Sequence, residues 1–160
     1  MIGTQENAAI ASTLGEYIWT GETLPEGWTF LGEGCYRYAF LSPEGCVYKV
    51  SHYSEEDTYT ENETEWRNFV GMNDAIVKHS NGKCRLAESS YFATYDVIAM
   101  EYVPMAKPAM KADDKGFSSN YINGAEDIYV SFTRVGLFDQ GESNIWFDEN
   151  GILVMIDYAA

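Results

Sequence analysis

The sequence predicts an α+β protein with a five-stranded antiparallel sheet and one long helix, followed by a smaller C-terminal part. Short apolar segments separated by turn residues occupy most of residues 28–103, which is typical of strands. They are interrupted at 55–79 by a stretch whose apolar residues recur at helical spacing. A chain of 160 residues with 46% hydrophobic residues is long enough to bury a core without disulfides.

The N-terminal elements follow from a change in apolar period. Residues 5–19 are predicted as a helix because Ile10, Leu14 and Ile18 recur four residues apart, and TLPEG at 23–27 ends it. Three short strands are then predicted in WTFLGEG, CYRYAFL and CVYKV, the last two joined by the turn SPEG.

The helix predicted at 55–79 presents one face made largely of apolar residues, namely Trp66, Phe69, Val70, Asn73, Ile76 and Val77. RLAESSYFAT and YDVIAMEYV then predict a hairpin over 85–103 that completes the sheet. Residues 125–137 are predicted as a helix, and NIWF and ILVMI as a hairpin around DENG. The predicted organisation is a lead-in with a helix at 1–27, a sheet unit at 28–103, a linker at 104–124 and a C-terminal unit at 125–160.

Charge and cysteine content narrow the expected partners. The net charge of −15 argues against nucleic acid and anionic membranes and favours a basic protein partner. No apolar run approaches the ~20 residues of a membrane span, and the first 19 residues lack the basic start and apolar core of a secretory leader, so we expect neither feature. Cys35, Cys46 and Cys84 have no C-x-x-C spacing, so we expect reduced thiols and a cytoplasmic protein.

Two groups in the sheet region have the chemistry of an anion site. Gly32 and Gly34, in LGEGCYRYAF, would let the backbone approach a phosphate, although a plain hairpin bend uses the same residues. Lys49 lies in the apolar strand VYKV, where a buried ammonium needs a carboxylate. The next helix offers Glu61, Glu63 and Glu65, and the alternative is an edge-strand lysine with its amine in water.

Two further groups lie towards the C-terminus. VIAMEYVP leads from an apolar strand into a proline-marked link, where an adenine could meet free backbone groups; an ordinary strand end is the alternative. Asn144 and Asp157 lie on either side of the predicted C-terminal hairpin. Their side-chain oxygens would suit a hard cation such as magnesium.

Taken in order, these segments resemble a protein kinase. A glycine-rich loop, the V-x-K-V lysine, a helix with an acid, the A-M-E-Y-V hinge, D-x-x-x-x-N and D-Y-A in place of D-F-G follow one another over residues 31–159. G-x-G-x-x-R-x-A-F and F-D-x-x-x-x-N-I-W-x-D-E-N-G resemble, more narrowly, small kinase-like proteins encoded by bacteriophages. The resemblance implies a kinase-like N-lobe at 28–103 and a truncated C-lobe.

The resemblance also implies ATP and magnesium as cofactors and a role for each candidate residue. Gly32 and Gly34 would cover the phosphates, and Lys49 would hold them, paired to Glu65 or else to Glu63; N-x-x-E-W at 62–66 favours Glu65. The remaining roles are adenine binding by the Glu101 carbonyl and the Val103 amide behind Met100, proton acceptance by Asp139, and magnesium binding by Asn144 and Asp157.

Three functions remain open. The first is a minimal phosphotransferase that acts on a protein, a second copy of the chain included. The second is a pseudokinase that binds and inhibits a host protein, such as a defence factor; it is favoured by Gly141, where kinases carry Lys, by L-F-D in place of H-R-D, and by the absence of sequence for a substrate platform after D-Y-A. The third, an acidic nucleic-acid mimic, ranks last because it does not need the kinase-ordered residues.

Overall fold

The computed structural model describes residues 1–34, 36–52, 61–103 and 146–158, together with the backbone alone at 107–108, 110–111, 120–121 and 145. The chain forms two compact units. The first comprises Met1–Trp66 and Glu88–Tyr102, and the second comprises Arg67–Ala87 and Val103–Ala160. The predicted α+β class is confirmed.

A five-stranded antiparallel sheet, as predicted, forms the first unit. Its strands lie in the order β1-β2-β3-β6-β5, and every neighbouring pair is antiparallel. The strand bounds are β1 Thr29–Glu33, β2 Arg37–Leu41, β3 Cys46–Ser51, β5 Ser89–Phe92 and β6 Val97–Glu101. A separate strand, β4 Cys84–Leu86, belongs to the second unit.

The prediction that RLAESSYFAT forms one strand was wrong. Its beginning lies in β4, which pairs in parallel with β11, Leu153–Met155. The Ala87 amide donates to the Met155 carbonyl over 2.9 Å, so this part of the chain bonds to the C-terminal strand rather than to β6. Apolar periodicity could not reveal this division, because both sheets bury the same kinds of side chain.

The single helix predicted at 5–19 is two helices, α1 Gln5–Ala11 and α2 Gly15–Thr20. The hydroxyls of Ser12 and Thr13 donate to carbonyls three residues back, over 2.7 and 2.8 Å. Such side-chain bonds compete with the helical backbone pattern, so the chain turns before Gly15. The start of α1 is capped by Thr4, whose hydroxyl accepts a hydrogen bond from the Asn7 amide over 3.1 Å.

One face of the sheet packs against these two helices. Alternating side chains from β2, β3 and β6 share a hydrophobic core with the helices, namely Tyr38, Phe40, Tyr48, Val50, Val97 and Ala99 with Ala8, Ala11 and Leu14. The extreme N-terminal segment is tied to the sheet as well. The amides of Ile2 and Thr4 donate to the hydroxyls of Ser90 and Tyr48, each over 2.9 Å. Because Tyr48 and Val50 of β3 belong to this core, the residue between them, Lys49, lies on the opposite face of the sheet.

The helix α3 extends over Glu61–His79, 19 residues, and residues 55–60 of the predicted helix lie outside the described part of the chain. Its predicted apolar face is only partly correct. Ile76 is buried, but Val70 and Val77 are 61% and 36% exposed. Asn62 and Glu65 are fully buried instead. Polar contacts therefore set the orientation of the first turns of α3.

The second unit contains the predicted C-terminal hairpin. The strand β10, Ile145–Phe147, pairs antiparallel with β11, and Trp146 lies opposite Val154. In the turn, the Asp148 carboxylate accepts hydrogen bonds from the amides of Asn150 and Ile152 over 2.8 and 2.9 Å. This local bonding explains why DENG makes a tight connection.

Short strands also occur within the segment predicted as a linker. The strand β7, Lys107–Pro108, pairs with β10, and β8, Met110–Lys111, pairs with β9, Asn120–Tyr121. The helix predicted at 125–137 lies outside the described residues.

Across the part of the chain that the structure describes, no helix has the length and apolar character needed to cross a membrane.

Two of the three cysteines, Cys46 and Cys84, are buried and free, whereas Cys35 is outside the described residues. Burial, with the Glu44 carboxylate, raises the pKa of the Cys46 thiol to about 12, so this thiol remains protonated at neutral pH.

The close approach of Gly3 to the sheet gives a stability prediction. A Cβ at Gly3 would lie 2.6 Å from the Ala99 Cβ and 2.8 Å from the Tyr48 hydroxyl, and the φ of Gly3 is +74°. Gly3→Ala should therefore lower the free energy of unfolding by about 2 kcal/mol or more through overpacking and backbone strain. The control is Gly21→Ala, since Gly21 has a φ of +71° with no atom within 4 Å of the added Cβ. Equal melting temperatures for the two variants would contradict the packing of the N-terminal segment.

Candidate functional site

The first candidate group is the ion pair between Lys49 on β3 and Glu65 on α3. The Lys49 ammonium lies 2.8 Å from Glu65 Oε1. The Glu65 side chain is fully buried, and the Lys49 side chain is 12% exposed. Glu65, one of the three acids that the sequence offered and the one it favoured, therefore contacts Lys49.

Strand alternation places Lys49 on this side of the sheet. Its neighbours Tyr48 and Val50 point into the core with α1 and α2, so Lys49 points to the opposite face. Across the neighbouring strands it lies opposite Ala39 on β2 and Ile98 on β6. These small and apolar neighbours leave the lysine without a cross-strand acid, and the helix provides the counter-charge.

Arg37 on β2 is a second cation at Glu65, and the sequence analysis assigned it no role. Its side chain is 8% exposed. The guanidinium bonds through Nη1 to Glu65 Oε2, and its Nε lies 3.0 Å from Glu61 Oε2. The signal in the sequence was an arginine inside the otherwise apolar and aromatic strand CYRYAFL.

The two cations determine the ionisation of Glu65. Burial alone would raise the pKa of this carboxyl, but the charges and hydrogen bonds of Lys49 and Arg37 outweigh burial and lower it below the ordinary value for Glu. The carboxylate is therefore ionised at neutral pH. Among the described residues, the cluster contains two anions, Glu65 and Glu61, and two cations, so charges of opposite sign accompany one another in this largely buried group.

Asn62 connects this cluster to the β5–β6 hairpin. Its side-chain oxygen accepts from Arg37 Nη1 over 3.2 Å, and its amide nitrogen donates to the Asp96 carbonyl over 2.8 Å. Asp96 has a φ of +49° and accepts a hydrogen bond from the Tyr91 hydroxyl over 2.9 Å. The polar network thus fixes the first turns of α3 to three strands of the sheet.

The glycine-rich segment forms the β1–β2 connection. Gly32 has a φ of +152°, at an irregularity in the pairing of β1 with β2. The Gly34 amide donates to the Arg37 carbonyl over 2.9 Å, which closes the turn. No atom of the described residues lies within 4 Å of the position of a Cβ on Gly32 or Gly34. Cys35, the next residue of the connection, is outside the described residues.

The residues assigned to adenine binding lie at the end of β6 and just after it. Met100 is 2% exposed and lies opposite Val47 on β3, and Glu101 is the last residue of the strand. The Glu101 amide donates to the Glu88 carbonyl over 3.0 Å. Val103, in the second unit, is 4% exposed. Their role in binding adenine remains a prediction.

Asp157 belongs to the second unit, immediately after β11. It is exposed and has a φ of +56°, an uncommon backbone conformation for a residue other than glycine. Its neighbour Tyr158 is fully buried, and the Tyr158 hydroxyl donates to the Ala87 carbonyl over 2.5 Å. The Tyr158 carbonyl accepts from the Asn68 side-chain amide over 2.7 Å. These bonds explain a tyrosine in the D-Y-A segment and fix the chain directly after Asp157.

The other predicted groups of the catalytic segment, Asp139, Gly141 and Asn144, lie outside the described residues. Within the residues that are described, no three His, Cys, Asp or Glu side chains form a cluster that could hold a metal ion. Magnesium commonly takes only one or two protein carboxylates, with water and phosphate oxygens completing the shell. Asp157 has an exposed carboxylate and Lys49 has a largely buried ammonium, so the chemistry of each group is compatible with the magnesium and phosphate roles that the resemblance implies.

The buried cluster gives a second stability prediction. Glu65→Gln removes a carboxylate that contacts two largely buried cations, Lys49 and Arg37, so it should lower the free energy of unfolding by about 3 kcal/mol or more. The matched control is Glu63→Gln, on the same helix, because Glu63 is partly exposed; its cost should be below about 1 kcal/mol. Denaturant unfolding measures both values.

The same variant has a pH signature. Because folding lowers the pKa of Glu65, its contribution to stability is present above the ordinary Glu pKa and is lost as pH falls through the folded-state value. The destabilisation caused by Glu65→Gln should therefore shrink in acid. A destabilisation of constant size from neutral to strongly acidic pH would contradict an ionised Glu65.

Comparison of the chain with models of known protein families and with curated proteins gave no match.

Proposed function

We propose that this chain is a kinase-like protein, of the kind that bacteriophages encode, that binds ATP with magnesium. The observation that supports the proposal best is the ion pair of Lys49 with the fully buried Glu65, on the sheet face opposite the core. Burying charged groups is costly, and apolar residues often give equal or greater stability at such positions. A buried lysine held by a carboxylate is therefore a candidate for function rather than for stability alone.

The proposed roles follow the chemistry of each group. Lys49 contacts the α- and β-phosphates, and the β1–β2 connection with Gly32 and Gly34 brings backbone amides to the phosphates. In the second unit, Asp157 ligates magnesium together with Asn144. Backbone groups of Glu101 and Val103 hydrogen-bond to adenine. Magnesium supplies charge neutralisation for the phosphates when it is bound.

Phosphate transfer assigns one further role. Asp139 accepts the proton of a protein hydroxyl, the hydroxyl oxygen forms a bond to the γ-phosphorus, and the bond to the β-phosphate oxygen breaks, so that ADP leaves. Gly141 provides no side-chain donor for the transferred phosphate, where kinases carry a lysine. We therefore expect the transfer to be slow.

A second function, a binding module for a basic protein, is favoured by the distribution of charge. Most of the 25 Asp and Glu residues fall within the sequence of the first unit, whereas its Lys and Arg residues are Arg37 and Lys49 alone. Arg37 and Lys49 both contact Glu65 and are largely buried. The sequence of this unit thus carries a strongly negative net charge, which favours association with a positively charged protein.

Nucleotide binding is tested by thermal shift. With MgATP at about a hundred times its Kd, the melting temperature of the parent should rise by on the order of 5–10 °C, since saturation contributes about 2.7 kcal/mol. Lys49→Met should abolish most of this rise, and Asp157→Ala should abolish its dependence on magnesium. The control is Lys83→Met, since Lys83 is an exposed lysine. A parent that gains no stability from MgATP would refute the proposed function.

Phosphate transfer is tested with radiolabelled ATP and the variant Asp139→Asn. The substitution preserves size and removes the proton acceptor, so transfer should fall by on the order of a hundredfold while MgATP still raises the melting temperature. Transfer that persists unchanged would exclude Asp139 as the base. Nucleotide binding without transfer in the parent would favour the binding module.

A further inference from the structure

Arg37 makes contacts that the proposed roles of Lys49 and Glu65 do not explain. Its guanidinium bonds to Glu65 Oε2, to Asn62 Oδ1 over 3.2 Å and to Glu61 Oε2 over 3.0 Å. All three partners lie in the first turns of α3. Three charge-assisted contacts to one short stretch of helix hold that stretch firmly to β2.

The Glu65 carboxylate contacts two cations, and this affects what Lys49 can do. Oε1 contacts Lys49 and Oε2 contacts Arg37, and the carboxylate has no exposed surface. If Lys49 were the sole counter-charge, its movement towards a phosphate would leave a buried carboxylate without a cation, which is costly. Arg37 removes this conflict because it neutralises Glu65 whether or not Lys49 binds a second anion.

Arg37 also acts on the glycine-rich connection through its backbone. The Arg37 carbonyl accepts the hydrogen bond from the Gly34 amide over 2.9 Å. One residue therefore closes the β1–β2 turn with its backbone and holds Glu65 with its side chain.

We propose that Arg37 is a positioning residue of the phosphate site: it fixes and neutralises Glu65, without touching the nucleotide, so that Lys49 can bind a phosphate anion. The nucleotide part of this inference rests on the proposed function. The part that concerns Glu65 does not, and it can be measured without any ligand.

The nucleotide part is tested with MgATP and five proteins: the parent, the single variants Arg37→Gln, Arg37→Lys and Glu65→Gln, and the double variant that combines Arg37→Gln with Glu65→Gln. Circular dichroism first establishes the temperature at which each is folded, and calorimetry then gives the Kd for MgATP. Arg37→Gln should raise the Kd at least tenfold, and Arg37→Lys should recover affinity to within about threefold of the parent, because it keeps the charge. In the Glu65→Gln background, Arg37→Gln should raise the Kd less than threefold.

Comparing the effect of Arg37→Gln on the Kd in the presence and absence of the Glu65 carboxylate distinguishes a positioning role from a general loss of structure. A folded Arg37→Gln protein with the affinity of the parent would overturn the inference. An effect of Arg37→Gln that is equally large with and without the Glu65 carboxylate would overturn it too, because Arg37 would then act independently of Glu65.

The ligand-free part is tested by following the side-chain carboxyl carbon of Glu65 by NMR in protein labelled with ¹³C-glutamate. Among the described residues, the charged groups of this cluster are Arg37 on β2 and Lys49 on β3, which contact Glu65, and Glu61 on the same helix, which contacts Arg37. Arg37→Lys should leave Glu65 ionised well below its ordinary pKa, whereas Arg37→Gln should move the titration to higher pH. Identical titrations in the parent and Arg37→Gln would overturn the inference. A parent that binds no MgATP but shows the shifted titration would refute the proposed function and preserve the role of Arg37 at Glu65.

Discussion

The carboxylate of Glu65 is the group on which the arrangement of the first unit depends. It is fully buried and ionised, and it can remain so only because a lysine from β3 and an arginine from β2 contact its two oxygens. Both strands are thereby fixed to the start of α3. Asn62, three residues before Glu65 in α3, donates a hydrogen bond to the Asp96 carbonyl, so the β5–β6 hairpin is fixed to the same part of the helix. A polar network thus performs here the task that an apolar helix face usually performs.

The hydrophobic core of the first unit lies on the face of the sheet opposite to this polar network. The helices α1 and α2 and the segment around Gly3 cover the aromatic side chains of Tyr38, Phe40 and Tyr48. These apolar contacts supply most of the burial in the first unit, so the opposite face can carry charged groups without depending on them for a core.

The sequence predicted the five strands and the hairpin around DENG because alternating apolar residues and turn residues are local signals. It also narrowed the partner of Lys49 to three acids on one helix, since a buried lysine needs an anion. The role of Arg37 was missed because it depends on a contact with Glu65 that is distant in sequence. The break between α1 and α2 and the pairing of β4 with β11 were missed for a similar reason: hydroxyl-to-backbone bonds and strand partners are set by tertiary structure. The roles of Asp157 and Asp139 remain predictions from the resemblance.

The most direct test of the central claim is to locate the lysine that lies beside the nucleotide phosphates. An ATP analogue with an acyl group on its terminal phosphate transfers that group to a nearby amine, and mass spectrometry then identifies the modified lysine. The account predicts modification of Lys49, with protection by excess MgATP, while the exposed Lys78 and Lys83 react slowly and without protection. Modification confined to those exposed lysines, or labelling of Lys49 that MgATP does not reduce, would contradict the assignment of Lys49 to the phosphates.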